Sequence, residues 1–291
     1  MRYRGRPTIT DRLNYLGFFE MLQSLLARCH PLLLVRHRYL VLQLTRRDVQ
    51  ARYKGSVLGM GWALLYPLLI LASYTFVFRE VFKARWPGGS DSTQEFALQV
   101  FAGLLVFNLF ADVLNRAPRL VVDQPNLVKR VVFPLEVLPW VTLGGSLFHA
   151  ALGAVILLGA SAWSGTGLSA WALLTPLVFA VTLPFLLGIG WLLGGLGVFL
   201  RDIGQAMGPV VTMLMFLSPV LYPAKSLPAL FEKLLWLNPL TLPIENLRRV
   251  VLQGQAPDWS GLALYTMAGL VFAALCWRLF ERVKPAFADE V

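Results

Sequence analysis

Few side chains in this sequence are of the kinds that break bonds, and their spacing argues against catalysis. The three histidines are His30, His37 and His149. Ser146 and His149 lie three residues apart, so one helix face carries both, and together they are a nucleophile and a base. An intramembrane serine protease would hold that pair on separate helices, with the serine in a Gly-x-Ser-x-Gly-like elbow. Gly144-Gly145-Ser146-Leu147-Phe148 supplies no such elbow. Ser146 and His149 therefore read as hydrogen-bonding groups between helices. No Gly-x-x-x-x-Gly-Lys-Ser/Thr phosphate loop and no His-Glu-x-x-His motif occurs. Cys29 and Cys276 lie far apart and form no metal-spaced pair, so both read as free thiols. No catalytic residue, metal site or bound cofactor is expected on this chain.

Binding chemistry is better represented. Asn108, Asp112 and Asn115 recur at i, i+4 and i+7 in an otherwise apolar stretch, which puts an ionisable group and two amides on one helix face. Trp62, Tyr66, Ser73 and Phe76 recur at i, i+4, i+11 and i+14. Aromatic faces bind sugar rings through their C–H surfaces, and Asn and Asp satisfy hydroxyls. The same aromatics also suit packing between helices or a belt at a membrane surface. A third group is cationic: Arg46, Arg47, Arg52 and Lys54 precede the almost charge-free stretch 55–78. Arg52, Tyr53 and Lys54 stand where a lipid headgroup or a lipid-borne diphosphate would meet them.

The elements that position these residues follow from composition. The chain is 57% hydrophobic and 14% charged, against roughly 25% charged in soluble domains. That contrast indicates a membrane protein. The net charge of +10 would suit nucleic acid, but the cations lie where membrane topology would put them, so no nucleic-acid partner is expected. A bilayer-crossing helix takes about 20 apolar residues. Six stretches qualify as spans, at about 57–78, 97–115, 134–162, 171–199, 206–223 and 259–280. With the N-terminus in the cytosol, most Lys and Arg fall on the inner side, as the positive-inside bias requires. Six spans return the C-terminus to the cytosol, with Arg278, Arg282 and Lys284 near it. No cleavable signal peptide is read, because the first apolar segments come late and are interrupted by charge.

Three further segments complete this division. Residues 1–54 read as a cytosolic or interfacial segment. It contains an amphipathic helix, a break at Pro31, and a stretch 32–46 whose cations suit a membrane surface. Residues 55–283 form the membrane domain and 284–291 a cytosolic tail. Segment 224–258 is too apolar for an aqueous loop. Two short helices dipping into the outer leaflet explain it, the second beginning near Pro243; a folded cap on the membrane is the alternative. Gly190-x-x-x-Gly194 in the fourth span permits close helix approach, in a dimer interface or within the chain.

Several linked motifs resemble, in order, the ABC transporter type-2 permeases that export bacterial polysaccharides. The run Arg46–Pro67 supplies Arg47-Asp48, Arg52-Tyr53-Lys54, Ser56, Leu58-Gly59, Trp62 and Pro67. Asn126 to Pro139 resembles the family's first cytosolic loop and the start of its third span. Arg201-Asp202 resembles the second cytosolic turn. Ser218-Pro219, Tyr222-Pro223, Asn238-Pro239-Leu240-Thr241, Glu245 and Arg248 resemble the outer re-entrant region. The match runs from about Leu44 to the last span, and residues 1–40 are less family-like.

The resemblance implies an all-α permease of the bacterial inner membrane and not an enzyme. Two copies would form the path, and two copies of a separate ABC ATPase, carrying ATP and Mg, would drive it. The cargo would be a lipid-linked polysaccharide such as O-antigen. Loop 116–133 would contact the ATPase through Arg116, Arg119, Asp123, Gln124, Lys129 and Arg130, with Pro118 and Pro125 breaking its helix. Trp62, Tyr66, Ser73, Phe76, Asn108 and Asp112 would line the path. Two other functions stay open on the residues alone: export of a drug or small lipid, and a membrane-embedded glycosyl- or acyltransferase.

Overall fold

The computed structural model describes residues 30–81, 83, 93–128, 133–163, 169–224, 228, 231 and 235–290. Among these residues every regular element is helical. Four helical stretches are long and apolar enough to cross a membrane: Thr93–Arg119, Leu135–Trp163, Ala170–Phe199 and Trp259–Glu290. Gly59–Thr75 and Asp202–Leu217 are apolar but shorter. The expected spans at 57–78 and 206–223 are therefore trimmed, and both trims have local causes.

Helix α1 runs from His30 to Tyr53, with a non-helical residue at His37. Pro31 stands in the first described turn of this helix, and the break expected there borders residues 1–29, which lie outside the described residues. The cationic run expected at a span boundary thus forms the last turns of α1. Gly55 and Gly59 both take positive φ, +84° and +47°, a conformation that favours glycine. They separate α1 from α2, Trp62–Thr75, and delay its start. A π-turn at Phe76–Val81 follows.

Helix α3, Thr93–Arg116, is the centre of the fold. Val100, Phe101, Ala102, Val106, Leu109 and Phe110 are all fully buried or nearly so. Around it pack α2, α5 (Leu138–Trp163), α6 (Thr175–Phe199), α7 (Asp202–Leu217) and α8 (Thr241–Val251). Helix α7 stops because Ser218 is extended (φ −111°, ψ 152°), the conformation forced on a residue before proline, here Pro219. Helix α9, Trp259–Val283, packs mainly on α6. Its other face exposes Leu264, Met267, Leu270, Val271 and Leu275.

The glycines of α6 serve packing within the chain. A Cβ at Gly190 would lie 2.8 Å from Pro139, one at Gly188 would meet Phe272 of α9 at 2.5 Å, and one at Gly197 would overlap the Pro118 carbonyl. Close approach to α5, α9 and the turn after α3 is thus what the Gly190-x-x-x-Gly194 region supplies.

The second short helix expected near Pro243 is α8, with Ile244, Leu247 and Val250 fully buried. Residues 225–227, 229–230 and 232–234, where the first was expected, lie outside the described residues, as do residues 1–29. Arg248 ties α8 down. It is 1% exposed; its Nε donates to the Gln99 carbonyl (3.1 Å), Nη2 to the Val220 carbonyl (2.9 Å) and Nη1 to Glu245 (3.0 Å). Gly103 admits this arrangement, because a Cβ there would stand 2.9 Å from the Val220 oxygen.

The chain's end is folded onto the core. After a 3-10 turn at Lys284–Ala286, a last helical turn α10, Phe287–Glu290, buries Phe287 against Phe199 and Phe280. Lys284 pairs with Glu136, just before α5.

Candidate functional site: a cavity among the first helices

Helix α1 is held along α5 by a register of close contacts. Gly144 faces Thr45, Gly145 faces Asp48, and His149 meets Tyr53. A Cβ at Gly145 would lie 2.6 Å from Asp48 Oδ2, so the glycine makes room for a carboxylate. This packing, with α2 and α3 on the other sides, forms a half-open cavity of about 430 Å³.

Each wall comes from one helix. Trp62 and Tyr66 of α2 form an aromatic side and are 40% and 60% exposed. Asn108, Asp112 and Asn115 of α3 face them. Asn108 is exposed although its helical neighbours are buried. The i, i+4, i+7 spacing does bring these three polar groups to one surface. Arg52 and Tyr53 close one end, and Ser146 and His149 of α5 complete the lining.

Charge in the cavity wall is balanced. Arg52 Nη2 donates to Asp112 Oδ2 at 2.7 Å, and Ser146 Oγ donates to the same oxygen at 2.5 Å. Arg116 Nη2 donates to Asp48 Oδ1 at 2.5 Å. Two acids and two bases therefore form a neutral quartet where α1, α3 and α5 meet. The Tyr53 hydroxyl shares a hydrogen bond with His149 Nδ1 at 3.1 Å. Burial raises the Tyr53 phenol above its ordinary pKa, with Arg52 pulling the other way, so the ring presents a neutral hydroxyl.

The expected residues divide into three groups. Trp62, Tyr66, Asn108, Asp112, Arg52 and Tyr53 meet at the cavity. Ser73 and Phe76 do not. Ser73 lies about 16 Å along the helix from Trp62, with its hydroxyl donating to the Leu69 carbonyl, and Phe76 belongs to the π-turn. Lys54 lies just past α1 and is exposed. Equal helical phase put Ser73 and Phe76 on the aromatic stripe, but phase says nothing of depth.

The residues expected to contact an ATPase also separate. Arg119, Asp123 and Gln124 are exposed, in a 3-10 turn at Ala117–Arg119 and the residues before a short helix α4, Pro125–Val128. Arg116 is not on that surface, because its guanidinium is taken up by Asp48. Lys129 and Arg130 lie outside the described residues. Ser146 and His149 bond across helices as expected, to Asp112 and Tyr53, and they also line the cavity. Asp48 was missed. Its signal was present, since both Asp48/Arg52 and Asp112/Arg116 are acid–base pairs four residues apart.

In this arrangement Ser146 bonds to Asp112 and His149 to Tyr53, and the described residues contain no cluster of His, Cys, Asp or Glu able to hold a metal ion. The arrangement offers a neutral, hydrogen-bonding, partly aromatic surface. Comparison with known proteins agrees with a transport role. Residues 39–252 match the family described as ABC-2 type transporter. The chain is 26% identical over 260 residues to the O-antigen export system permease protein RfbA of Myxococcus xanthus, covering 89% of this chain and 97% of that protein. It is 23% identical over 252 residues to a protein of the same name from Klebsiella pneumoniae, covering 86% and 94%. It is 24% identical over 241 residues to the polysialic acid transport protein KpsM of Escherichia coli, covering 81% and 91%.

Proposed function

The chain belongs to the ABC-2 type transporter family, and from that premise we propose that it is the membrane permease of an exporter that moves a lipid-linked polysaccharide outward. As a permease subunit it is a transporter component rather than an enzyme, and its family implies an ABC ATPase as partner. Two copies of this chain with two copies of that ATPase form the working unit in this reading. Six spans cross the bacterial inner membrane, with α2 and α7 as the short ones. Both termini lie in the cytosol.

The observation that carries the cargo assignment is the cavity. Aromatic faces at Trp62 and Tyr66 oppose amides and a carboxylate at Asn108, Asn115 and Asp112. That pairing suits sugar rings, whose C–H faces are apolar and whose rims carry hydroxyls. A charge-balanced wall does not hold a polymer in one register, as a free cation would hold an anionic one. The relatives named as O-antigen and polysialic acid transporters support the same cargo class. Ser73 and Phe76 continue the path beyond the cavity toward the outer side. Arg52, Tyr53 and Lys54 meet the lipid's headgroup or diphosphate at the inner mouth. Arg119, Asp123, Gln124, Lys129 and Arg130 face the ATPase, with Arg116 behind them.

Deleting the chain from its host tests this directly. The expected result is loss of one surface glycan and intracellular accumulation of its lipid-linked form, identified by mass spectrometry and reversed by the intact gene. Unchanged surface glycan in the deletion strain would defeat the reading.

A further inference from the structure

The quartet Asp48, Arg52, Asp112 and Arg116 has two ways to pair, and the structure holds one of them. Each helix carries an acid four residues before a base. The short contacts run between helices: Arg52 to Asp112 at 2.7 Å and Arg116 to Asp48 at 2.5 Å. The contacts within each helix are long: Arg52 Nε to Asp48 Oδ2 at 3.7 Å and Arg116 Nη1 to Asp112 Oδ2 at 3.8 Å. Two buried atoms consequently lack a hydrogen bond, Asp48 Oδ2 and Arg116 Nη1. These are the atoms that already point along their own helices at the alternative partners. A movement of about 1 Å would bring each in-helix pair to hydrogen-bonding distance. Either arrangement contains two opposite-charge pairs and leaves the quartet neutral, so the two states differ little in charge bookkeeping. Two pairings open to the same four charges are what a bistable element requires.

Its placement connects two regions. Arg52 and Asp112 line the cavity, while Asp48 and Arg116 stand behind them. Arg116 is the last residue of α3 and leads directly into the turn at Ala117–Arg119. A hydroxyl or phosphate oxygen that engages Arg52 from the cavity competes with Asp112 for the guanidinium.

We propose that this quartet is a two-position switch that reports cavity occupation to the ATPase-facing segment 117–128. Cross-helix pairing clamps α1 to α3 while the cavity is empty. Cargo contact with Arg52 or Asp112 shifts both pairs to their in-helix partners. Helix α1 is then released from α3, and Arg116 repositions the segment that follows it. Arg116 and Asp48 are positioning residues that do not touch cargo. This inference rests on the transport reading above and adds its regulation.

Charge exchange separates a switch from a static clamp. Asp48→Arg with Arg116→Asp keeps opposite charges across the helices but puts like charges four residues apart in each. The clamp survives and the alternative is lost. Asp48→Glu with Arg116→Lys leaves Arg52 and Asp112 in place and keeps both arrangements open. The complex of this chain with its ATPase is reconstituted in liposomes, and ATP hydrolysis is measured with and without lipid-linked glycan extracted from the deletion strain. The twofold exchange is expected to copurify with the ATPase and keep basal hydrolysis while losing roughly tenfold in glycan stimulation. The conservative pair is expected to keep it. Wild-type stimulation in the twofold exchange, or an equal loss in the conservative pair, overturns the switch. Absence of stimulation in the unmodified complex would instead count against the transport reading itself.

Discussion

Two residues outside the cavity lining show how single side chains hold this fold. Arg248 is a buried cation whose three nitrogens reach α3, the turn at Val220 and Glu245. Replacing it with Ala strands Glu245 and removes the separate donors to the Gln99 and Val220 carbonyls. The expected loss is about 3 kcal/mol, read as a lower unfolding temperature in detergent and a lower folded yield. Arg248→Lys is expected to rescue only part, because an ammonium cannot fork toward three acceptors. Asp258 caps α9 by accepting from the Gly261 amide and the Ser260 hydroxyl. The Gly261 bond, then the Ser260 bond, lowers its pKa. A depressed carboxylate pKa gives stability that is fully present above the unfolded value, about pH 4, and is lost as pH falls through the folded value. Asp258→Ala is expected to cost about 1 kcal/mol at neutral pH, and the difference from wild type should vanish in acid. A thermal-stability profile across pH checks both parts. The Asp258 cap is a local signal, an acid just before an apolar run, but the Arg248 role is not. Glu245 and Arg248 sat in a recognisable motif, but the carbonyls they serve lie far away in the chain.

At the scale of elements, the long apolar runs gave α3, α5, α6 and α9 close to their expected places. The ends of α2 and α7 did not follow hydropathy, because Gly55, Gly59 and Pro219 act on the backbone whatever the apolarity around them. The glycines of α6 were legible as a close-approach surface, yet only the fold shows what approaches. Gly197 receives the Pro118 carbonyl, and a Cβ at Gly194 would lie 3.5 Å from the Ala117 carbonyl. The turn that follows α3 is thereby seated on α6. Gly197→Ala is expected to lift that turn, at a cost of about 2 kcal/mol in stability from overpacking. Export should fall far more than the amount of chain in the membrane, because the segment proposed to contact the ATPase is displaced. Export assays normalised to membrane protein would reveal this, and wild-type export would show that the seat is dispensable. The quartet was hidden for a related reason. Hydropathy and helical phase describe one helix at a time, whereas the shorter contacts cross between α1 and α3.

Across the whole molecule, α3 is a buried mast with the cavity on one side and α6 with α9 on another. The outward row on α9, from Leu264 to Leu275, is exposed and apolar and suits lipid contact. Polar groups gather instead in the cavity between α1, α2, α3 and α5. That division of surfaces is the physical content of the transport reading: hydrocarbon meets one side of the chain and cargo another. Aromatic and polar stripes were each visible in the sequence, but their opposition across one cavity was not, since it depends on how α2 and α3 rotate against each other. The most direct test places a photo-cross-linking amino acid at Tyr66 or, as a control, at Leu270 of α9, in cells making the glycan. Illumination at Tyr66 is expected to join the chain to glycan, detected as a mass increase that glycan-cleaving treatment removes, while Leu270 captures only lipid. Equal glycan capture at both positions, or none at Tyr66 in cells that still export, would contradict the account.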